Sequence, residues 1–303
     1  MNFQPVMAED KETMDRYFAM ADSRSSDMCF TTMYFWQDYY ALTWTVCRDM
    51  LIFKSEHDEN SHVSFSFPIG EGDPAPVLAD IEAYCDRRGI PMHLHNVYKE
   101  HEEWLNANMP GKFHLWYERD VADYIYETER LIRLSGKKYH GKKNHVNKFL
   151  KAYDDWAYEK ITPENREDCL NMLAKWTLIN ESAKSREKDA EAQVARRSLV
   201  DIDRFGEVGG LIRAEGKVVA FSIGEKVNSD TFVVHIEKAF SDVPGAYAII
   251  NQQLLKHEAA EIPYVNREDD AGEEGLRQAK LSYHPLYLLE KGFATRMSDM
   301  GID

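Results

Sequence analysis

Four residues of "MAEDKETMDRYFAMAD", Met14, Tyr17, Phe18 and Ala21, fall at helical spacing behind an acidic start, which predicts an N-terminal helix whose first turn complements the helix dipole. In "MCFTTMYFWQDYYALTWTVCRDMLIFKSE" the aromatic beginning suits a helix, whereas "YALTWTV" and "MLIFK" read as strands joined by a turn at Arg48 and Asp49. "SHVSFSFPIG" alternates as a further strand, closed by Pro68 and Gly70. Val77, Leu78, Ile81, Tyr84 and Cys85 then return to helical spacing, with Arg87 and Arg88 in the last turn and Gly89 in the stop position.

The order of elements after that helix recurs later. The first copy reads Ile90-Pro91, a short strand, a polar stretch with Glu102 and Glu103, a short helix and a strand. After the helix "AYAIINQQLLKHEAAE" the second copy reads Ile262-Pro263, a strand, a polar stretch with Glu273 and Glu274, a short helix and the strand "LYLLEKGFAT". Hairpin material precedes each, "GGLIRAEGKVVAFSIGEKVNSDTFVVHIEKAF" in the second. Two such copies predict an α/β (α+β) chain with mixed, largely antiparallel sheets, divided into a domain over residues 1–128 and another over 129–303 that includes a basic connector at 135–153.

A chain of 303 residues, 44% hydrophobic and 29% charged, has enough apolar material to be folded throughout. Its formal net charge of −15 repels nucleic acid and anionic membrane, so an anionic partner has to meet a local basic patch. Cys29, Cys47, Cys85 and Cys169 form no CxxC pair and no secretory segment follows Met1, which points to reduced thiols in the cytoplasm. No apolar run approaches the roughly 20 residues that span a bilayer. HExxH, GxSxG, Walker A and GxGxxG patterns are missing, and His93 and His95 have no third ligand nearby, so no metal site is expected.

Three stretches can carry chemistry. In "FSDVPGAYAIINQQLLKH" a glycine stands at the head of a helix, where Gly245, Ala246 and Tyr247 can offer backbone N–H groups and the positive end of the dipole to an anion; a flexible loop explains the glycine equally well. Lys137, Lys138, Lys142, Lys143, Lys148 and Lys151, interleaved with Asn144, His145 and Asn147, suit an anionic partner, and for any one lysine the solvated face of an amphipathic helix packed through Val146, Phe149 and Leu150. In "EEGLRQAKLSY" Arg277, Lys280 and Tyr283 lie three apart and span about 120° of a helix, leaving Leu276, Ala279 and Leu281 for packing. Asp269 and Asp270 stand before it, placed either to hold an amine or to cap the helix.

"DYIYETERLIRLSGKKYHGKKNHVNKFLKAY", "HIEKAFSDVPGAYAIINQQLL" and "VNREDDAGEEGLRQAKLSYHP" resemble, in order, the signatures of the C-terminal domain of phosphatidylglycerol lysyltransferases and its soluble relatives. That family resembles the Fem-type aminoacyltransferases, built from two tandem GNAT-like acyltransferase domains, so the resemblance implies transfer of an acyl or aminoacyl group from acyl-CoA or aminoacyl-tRNA to a nucleophile, with no permanently bound cofactor. It places the donor's phosphates at Gly245, Ala246 and Tyr247, and gives the lysines of the connector a tRNA to hold. Arg277 and Lys280 then contact phosphate, carboxylate or oxyanion, Asp269 or Asp270 an amino group, and Tyr283 relays a proton. The competing reading is a binding protein on the same duplicated scaffold that senses a small anion, nucleotide or RNA without turning it over.

Overall fold

The computed structural model describes residues 1–56, 63–180 and 186–301. The chain divides into two compact units, one formed by Met1–Asp123 with Leu289–Asp303 and the other by Tyr124–Leu288. This differs from a single boundary at 128/129, because each half of the sequence sends its last strand elsewhere.

In the first unit the strands are β1 (Gln4–Pro5), β2 (Thr43–Cys47), β3 (Met50–Ser55), β4 (Ser64–Ser66), β5 (His93–Val97) and β6 (Phe113–Tyr117), with helices α1 (Lys11–Ala21), α2 (Phe30–Tyr40), α3 (Ala75–Arg88) and α4 (Lys99–Asn108). The expected turn between β2 and β3 has both central residues left-handed, Arg48 at φ 51° and Asp49 at φ 60°, as a tight hairpin requires. Gly89 ends α3 at φ 63°. Of the strand expected over "SHVSFSFPIG", Ser61 and His62 lie outside the described residues and Ser64–Ser66 pairs. His93 and His95 are packing residues, hydrogen-bonded to Thr295 Oγ1 at 2.7 Å and Ser64 Oγ at 2.8 Å.

The second unit begins in β7 (Asp123–Glu127) and continues through α5 (Thr128–Arg133), a 3-10 turn at Lys137–Tyr139, α6 (His140–Ala152), β8 (Ala157–Lys160), α7 (Arg166–Asn180) and α8 (Arg186–Phe205). There follow β9 (Val208–Ala214), β10 (Lys217–Lys226), β11 (Thr231–Ala239), α9 (Ala246–Glu258), β12 (Tyr264–Asn266), α10 (Glu274–Leu281) and β13 (Tyr287–Leu289), and then β14 (Gly292–Arg296). The segment "LYLLEKGFAT", expected as one strand, is thus two.

The sheets run β1-β2-β3-β4-β5-β14-β6 and β13-β7-β12-β11-β10-β9-β8. In each, a parallel pair (β4 with β5, β11 with β12) is followed by an antiparallel strand from the far half of the sequence: β14 beside β5, β7 beside β12. The duplication is therefore strand-exchanged. Alternation along the central strands feeds two cores, Leu211 and Phe221 packing with α7 and α8 and Ile212 and Val219 with α5, α6 and α9.

The chain switches sheets at Asp123, which opens β7, and again at Lys291, which precedes β14. These two side chains, 0% and 5% exposed, form an ion pair at 3.0 Å. Asp123 also accepts hydrogen bonds from the Ser26 amide at 2.8 Å and the Ser26 hydroxyl at 3.0 Å, and Lys291 reaches Asp27 at 3.0 Å. Removing one member strands a buried charge. Asp123→Asn and Lys291→Met are each expected to lower unfolding free energy by about 3–5 kcal/mol in urea titrations, and the double variant by less than their sum.

Candidate active site

On β11, β12 pairs with Thr231–Val233, and among the described residues β11 runs on to Ala239 without a strand partner on that side. Where strands part, side chains of β11 and of the loop after β12 face each other without a ladder between them. Glu237 of β11 meets Arg267 there: Arg267 Nη2 donates to Glu237 Oε1 at 2.9 Å, and Asn251 Nδ2 of α9 donates to Glu237 Oε2 at 2.9 Å. Both partners of the ion pair are close to 90% buried, with side-chain exposures of 10% for Arg267 and 13% for Glu237. Burial acts against the guanidinium's charge, and the Glu237 carboxylate together with the Tyr126 and Tyr283 phenols outweighs it, so the Arg267 pKa lies above its ordinary value.

Arg267 also packs over two phenol rings, 4.8 Å from the Tyr283 centroid and 5.9 Å from that of Tyr126. The ammonium of Lys142, from α6, lies 4.0 Å from the same Tyr283 ring. Two buried atoms of this cluster, Arg267 Nη1 and Asn251 Oδ1, have no hydrogen-bond partner among the described residues. A buried donor and a buried acceptor held by one carboxylate are costly unless a ligand or water uses them.

The residues singled out in the sequence surround this cluster and support it. Asp270, fully buried, accepts from Tyr124 Oη at 2.5 Å, from Arg277 Nε at 3.0 Å, from Arg277 Nη2 at 2.9 Å and from the Gly272 amide at 3.1 Å. Lys280 donates to the carbonyls of Arg267, at 2.7 Å, and Asp269, and its own carbonyl accepts from Tyr126 Oη at 2.8 Å. Asp269 Oδ1 accepts from the Ala271 amide at 3.0 Å. These bonds hold a loop whose Glu268 and Ala271 are left-handed, at φ 57° and 47°, and so fix where Arg267 points.

The expectation that Arg277, Lys280 and Tyr283 share one presented helix face is not met. α10 ends at Leu281, Lys280 and Tyr283 are buried, and Leu276 and Leu281, expected in packing, are 40% and 44% exposed. Polar groups anchor inward here, so the apolar side faces out. Burial lifts the Tyr283 phenol far above its ordinary range, leaving the ring as a platform for two cations.

Gly245 precedes α9 at φ 82°, and a Cβ there would lie 2.1 Å from the His145 carbonyl oxygen. The glycine lets α6 approach the start of α9. Ala246 is buried beside it, and Tyr247 Oη lies 3.3 Å from the Trp176 indole nitrogen. Along α6, Lys137, Lys138, Lys143, Asn144, Lys148 and Lys151 are exposed, while Lys142 is half-buried. Val146 and Phe149 pack as expected, but Leu150 is 37% exposed. A groove of about 420 Å³ is lined by Gly141, Asn144, His145, Asn147, Lys148 and Lys151.

Glu237, Asn251 and Arg267 escaped sequence reasoning, although a signal existed. "TFVVHIEKA" puts a carboxylate inside a strand whose other positions, His235 apart, are buried, and "AIINQQLL" puts amides inside an apolar helix face.

Comparison with known proteins places the chain in a family. A protein of unknown function from Bacteroides thetaiotaomicron VPI-5482 is 34% identical and superimposes with a TM-score of 0.91, covering 98% of this chain and 99% of that one. The C-terminal domain of a putative lysylphosphatidylglycerol synthetase from Agrobacterium fabrum (10% identity, TM-score 0.67, 98% and 94% of the two chains) and FemX (9%, 0.65, 99% and 98%) share the fold. An uncharacterised Mycoplasmoides gallisepticum protein, MYCGA3080, is 27% identical over 195 residues; the match takes in 62% of this chain and spans 60% of that relative's length. The duplicated GNAT-like, Fem-type architecture expected from the sequence is borne out. The family model described as phosphatidylglycerol lysyltransferase, C-terminal, matches residues 18–293, and the chain belongs to that family. It is an aminoacyltransferase-like protein, and among the described residues no helix is long and apolar enough to cross a membrane.

Because α6 approaches the start of α9 closely at Gly245, whose φ is positive, Gly245→Ala is expected to cost about 1–3 kcal/mol in strain and overpacking. Hydrogen exchange should localise the loosening to the amides of α6.

Proposed function

We propose that this chain transfers an aminoacyl group from an aminoacyl-tRNA to a nucleophile, with the chemistry at the Glu237–Arg267–Asn251 cluster. The observation that carries the reading is the pair of unpartnered buried atoms, Arg267 Nη1 and Asn251 Oδ1, one a donor and the other an acceptor. An α-aminoacyl ester offers the complement: a carbonyl oxygen that accepts, and an amine, two bonds from the carbonyl carbon, that donates. A plain acyl thioester has the first and lacks the second.

Nη1 is also a preorganised donor. When a nucleophile adds to the ester carbonyl, the oxygen becomes an oxyanion, and a guanidinium already anchored by Glu237 binds it without reorganising. The ester itself is reactive, so positioning and charge stabilisation carry most of the burden. Burial strengthens both, since water competes poorly for the same atoms.

The lysines of α6 suit the tRNA end. Lys142 and Lys143 stand in the first turn of a 13-residue helix that has no acidic first-turn residue, so they oppose the helix dipole. That arrangement costs helix stability and concentrates positive potential in a chain of net charge −15, which supports contact with phosphates. The family description makes lysyl-tRNA the first donor to try and phosphatidylglycerol the first acceptor.

The test is transfer of labelled amino acid from a panel of charged tRNAs to hydroxylamine and to phosphatidylglycerol vesicles, run beside N-acetylaminoacyl-tRNAs and acetyl-CoA. Free aminoacyl-tRNA should be turned over, and the N-acetylated forms and acetyl-CoA should not. Arg267→Lys should lower kcat by about 10²–10³-fold, as loss of one oxyanion donor does. Asn251→Ala should narrow the preference for a free amine by about threefold to tenfold, the worth of one hydrogen bond. Equal use of acetylated donors, or turnover of acetyl-CoA, sinks the aminoacyl reading; thermal stabilisation by charged tRNA without turnover makes the chain a binding protein.

A further inference from the structure

A reaction at this cluster needs a group that takes the nucleophile's proton, and most of the ionisable side chains nearby are already engaged. Glu237 is bonded by Arg267 and Asn251, Asp270 by Tyr124 and Arg277, and Lys280 by two carbonyls. Tyr283 serves as a ring under two cations, 4.0 Å from Lys142 and 4.8 Å from Arg267. Lys142 differs from all of them. Its ammonium is half-buried and, among the described residues, neither ion-paired nor hydrogen-bonded; the Tyr283 ring is its contact. It is less exposed than Lys143, Lys148 and Lys151 of its own helix, and it precedes by three residues the His145 carbonyl that Gly245 lets approach α9.

We propose that Lys142 is the proton acceptor, and then the proton donor, of the transfer reaction. This rests on the aminoacyl-transfer reading of the same site. The neutral amine of Lys142 takes the proton of the attacking O–H or N–H as the nucleophile's lone pair forms the new bond to the acyl carbon. The carbonyl π pair moves to oxygen, facing Arg267 Nη1. When the oxyanion collapses, the bond from acyl carbon to ester oxygen breaks, and the Lys142 ammonium returns its proton to the departing tRNA ribose oxygen. Nothing is oxidised or reduced, and the lysine ends neutral.

The surroundings tune the amine for this. Burial first, and repulsion from Arg267 second, push Lys142 down to about 8, with Glu237 pulling the other way. The groups facing it are Arg267 after β12, Glu237 on β11 and Tyr283 after α10, with His145 beside it on α6, whose own pKa burial and then Lys142 depress. A proton acceptor poised near working pH is the efficient case.

Two measurements test this on the full chain. Competitive labelling with acetic anhydride from pH 6 to 11, read by mass spectrometry on the Lys142 peptide, should show half-maximal reactivity near pH 8, moving lower in Glu237→Gln. Titration alongside Lys143 and Lys148 would overturn the proposal without touching the transfer reading. Lysyl-tRNA transfer to hydroxylamine should rise about tenfold per pH unit below that midpoint and then level. Lys142→Arg and Lys142→Met should lose about 10²–10⁴-fold in kcat/KM and the slope with it. Lys142→Met should also keep or raise Tm at pH 7, because it deletes a desolvated cation. The lysine's stability cost is full below the folded midpoint and fades as pH climbs from about 8 toward the ordinary lysine value of about 10.4. A lower Tm with the pH slope retained would make Lys142 structural and overturn the proposal. Absence of turnover by the unaltered chain would overturn the transfer reading, and the catalytic use of Lys142 with it.

Discussion

Everything in this fold depends on two strands being in the other half's sheet. β7 leaves the first half of the sequence to lie beside β12, and β14 leaves the second half to lie beside β5. The switch points carry Asp123 and Lys291, joined by a buried ion pair. A buried pair is a poor source of stability against a hydrophobic alternative, but an unmatched partner is heavily penalised, and that asymmetry makes it a device for specificity. If either strand stayed at home, one of these charges would lose its counterion. The site inherits this constraint: β7 brings Tyr124 and Tyr126, which hold Asp270 and the Lys280 carbonyl, and through them the loop that aims Arg267.

A hierarchy of charges follows. The outer ring, Asp270 with Arg277 and Lys280 with its carbonyls, has its hydrogen-bonding capacity spent within the protein and acts on geometry. Among the described residues the inner group is under-satisfied: Arg267 and Asn251 each keep a buried polar atom without a partner, and Lys142 rests on a ring with no ion-paired carboxylate. Natural proteins keep such groups where a ligand completes them, because the free energy lost in the empty state is recovered only on binding or in the transition state. Rigidity in the outer ring is what allows the inner ring to stay unpaired without collapsing onto itself.

Much of this was legible in the sequence, and what was not has a physical explanation. Local signals held: the turn at Arg48 and Asp49, the stop at Gly89, and the helix after Gly245. The repeat of elements was visible too. The strand exchange was not, because the pattern within "LYLLEKGFAT" says strand and says nothing about which sheet it joins; the break between Leu289 and Gly292 is made by Lys291 turning to meet Asp123. In the candidate site, periodicity assigned Arg277, Lys280 and Tyr283 to one presented face. Helical spacing reports angles and cannot report that the inward face is polar, as happens when a loop of left-handed residues supplies carbonyls to be bonded. Arg267 was overlooked for the same reason, since its partner lies 30 residues away on another strand.

The two copies differ in what occupies the corresponding place. Both sheets have a short parallel pair. In the first unit β4 and β5 are followed by Phe67, whose ring stacks on His101 at 4.0 Å and meets Trp104 at 6.1 Å. Burial holds His95, on β5, down to about 4, neutral at working pH. Rings pack at this end of the pair, and its nearest strand histidine does not carry charge. In the second unit the corresponding stretch of β11 holds Glu237, bonded by a guanidinium and an amide, while the Lys142 amine lies over the Tyr283 ring. Aromatic packing needs no ligand to be complete, whereas a carboxylate that anchors half-satisfied donors does. Duplication thus leaves one copy free to be a stable partner sheet, and lets the other keep an arrangement too costly to justify by folding alone.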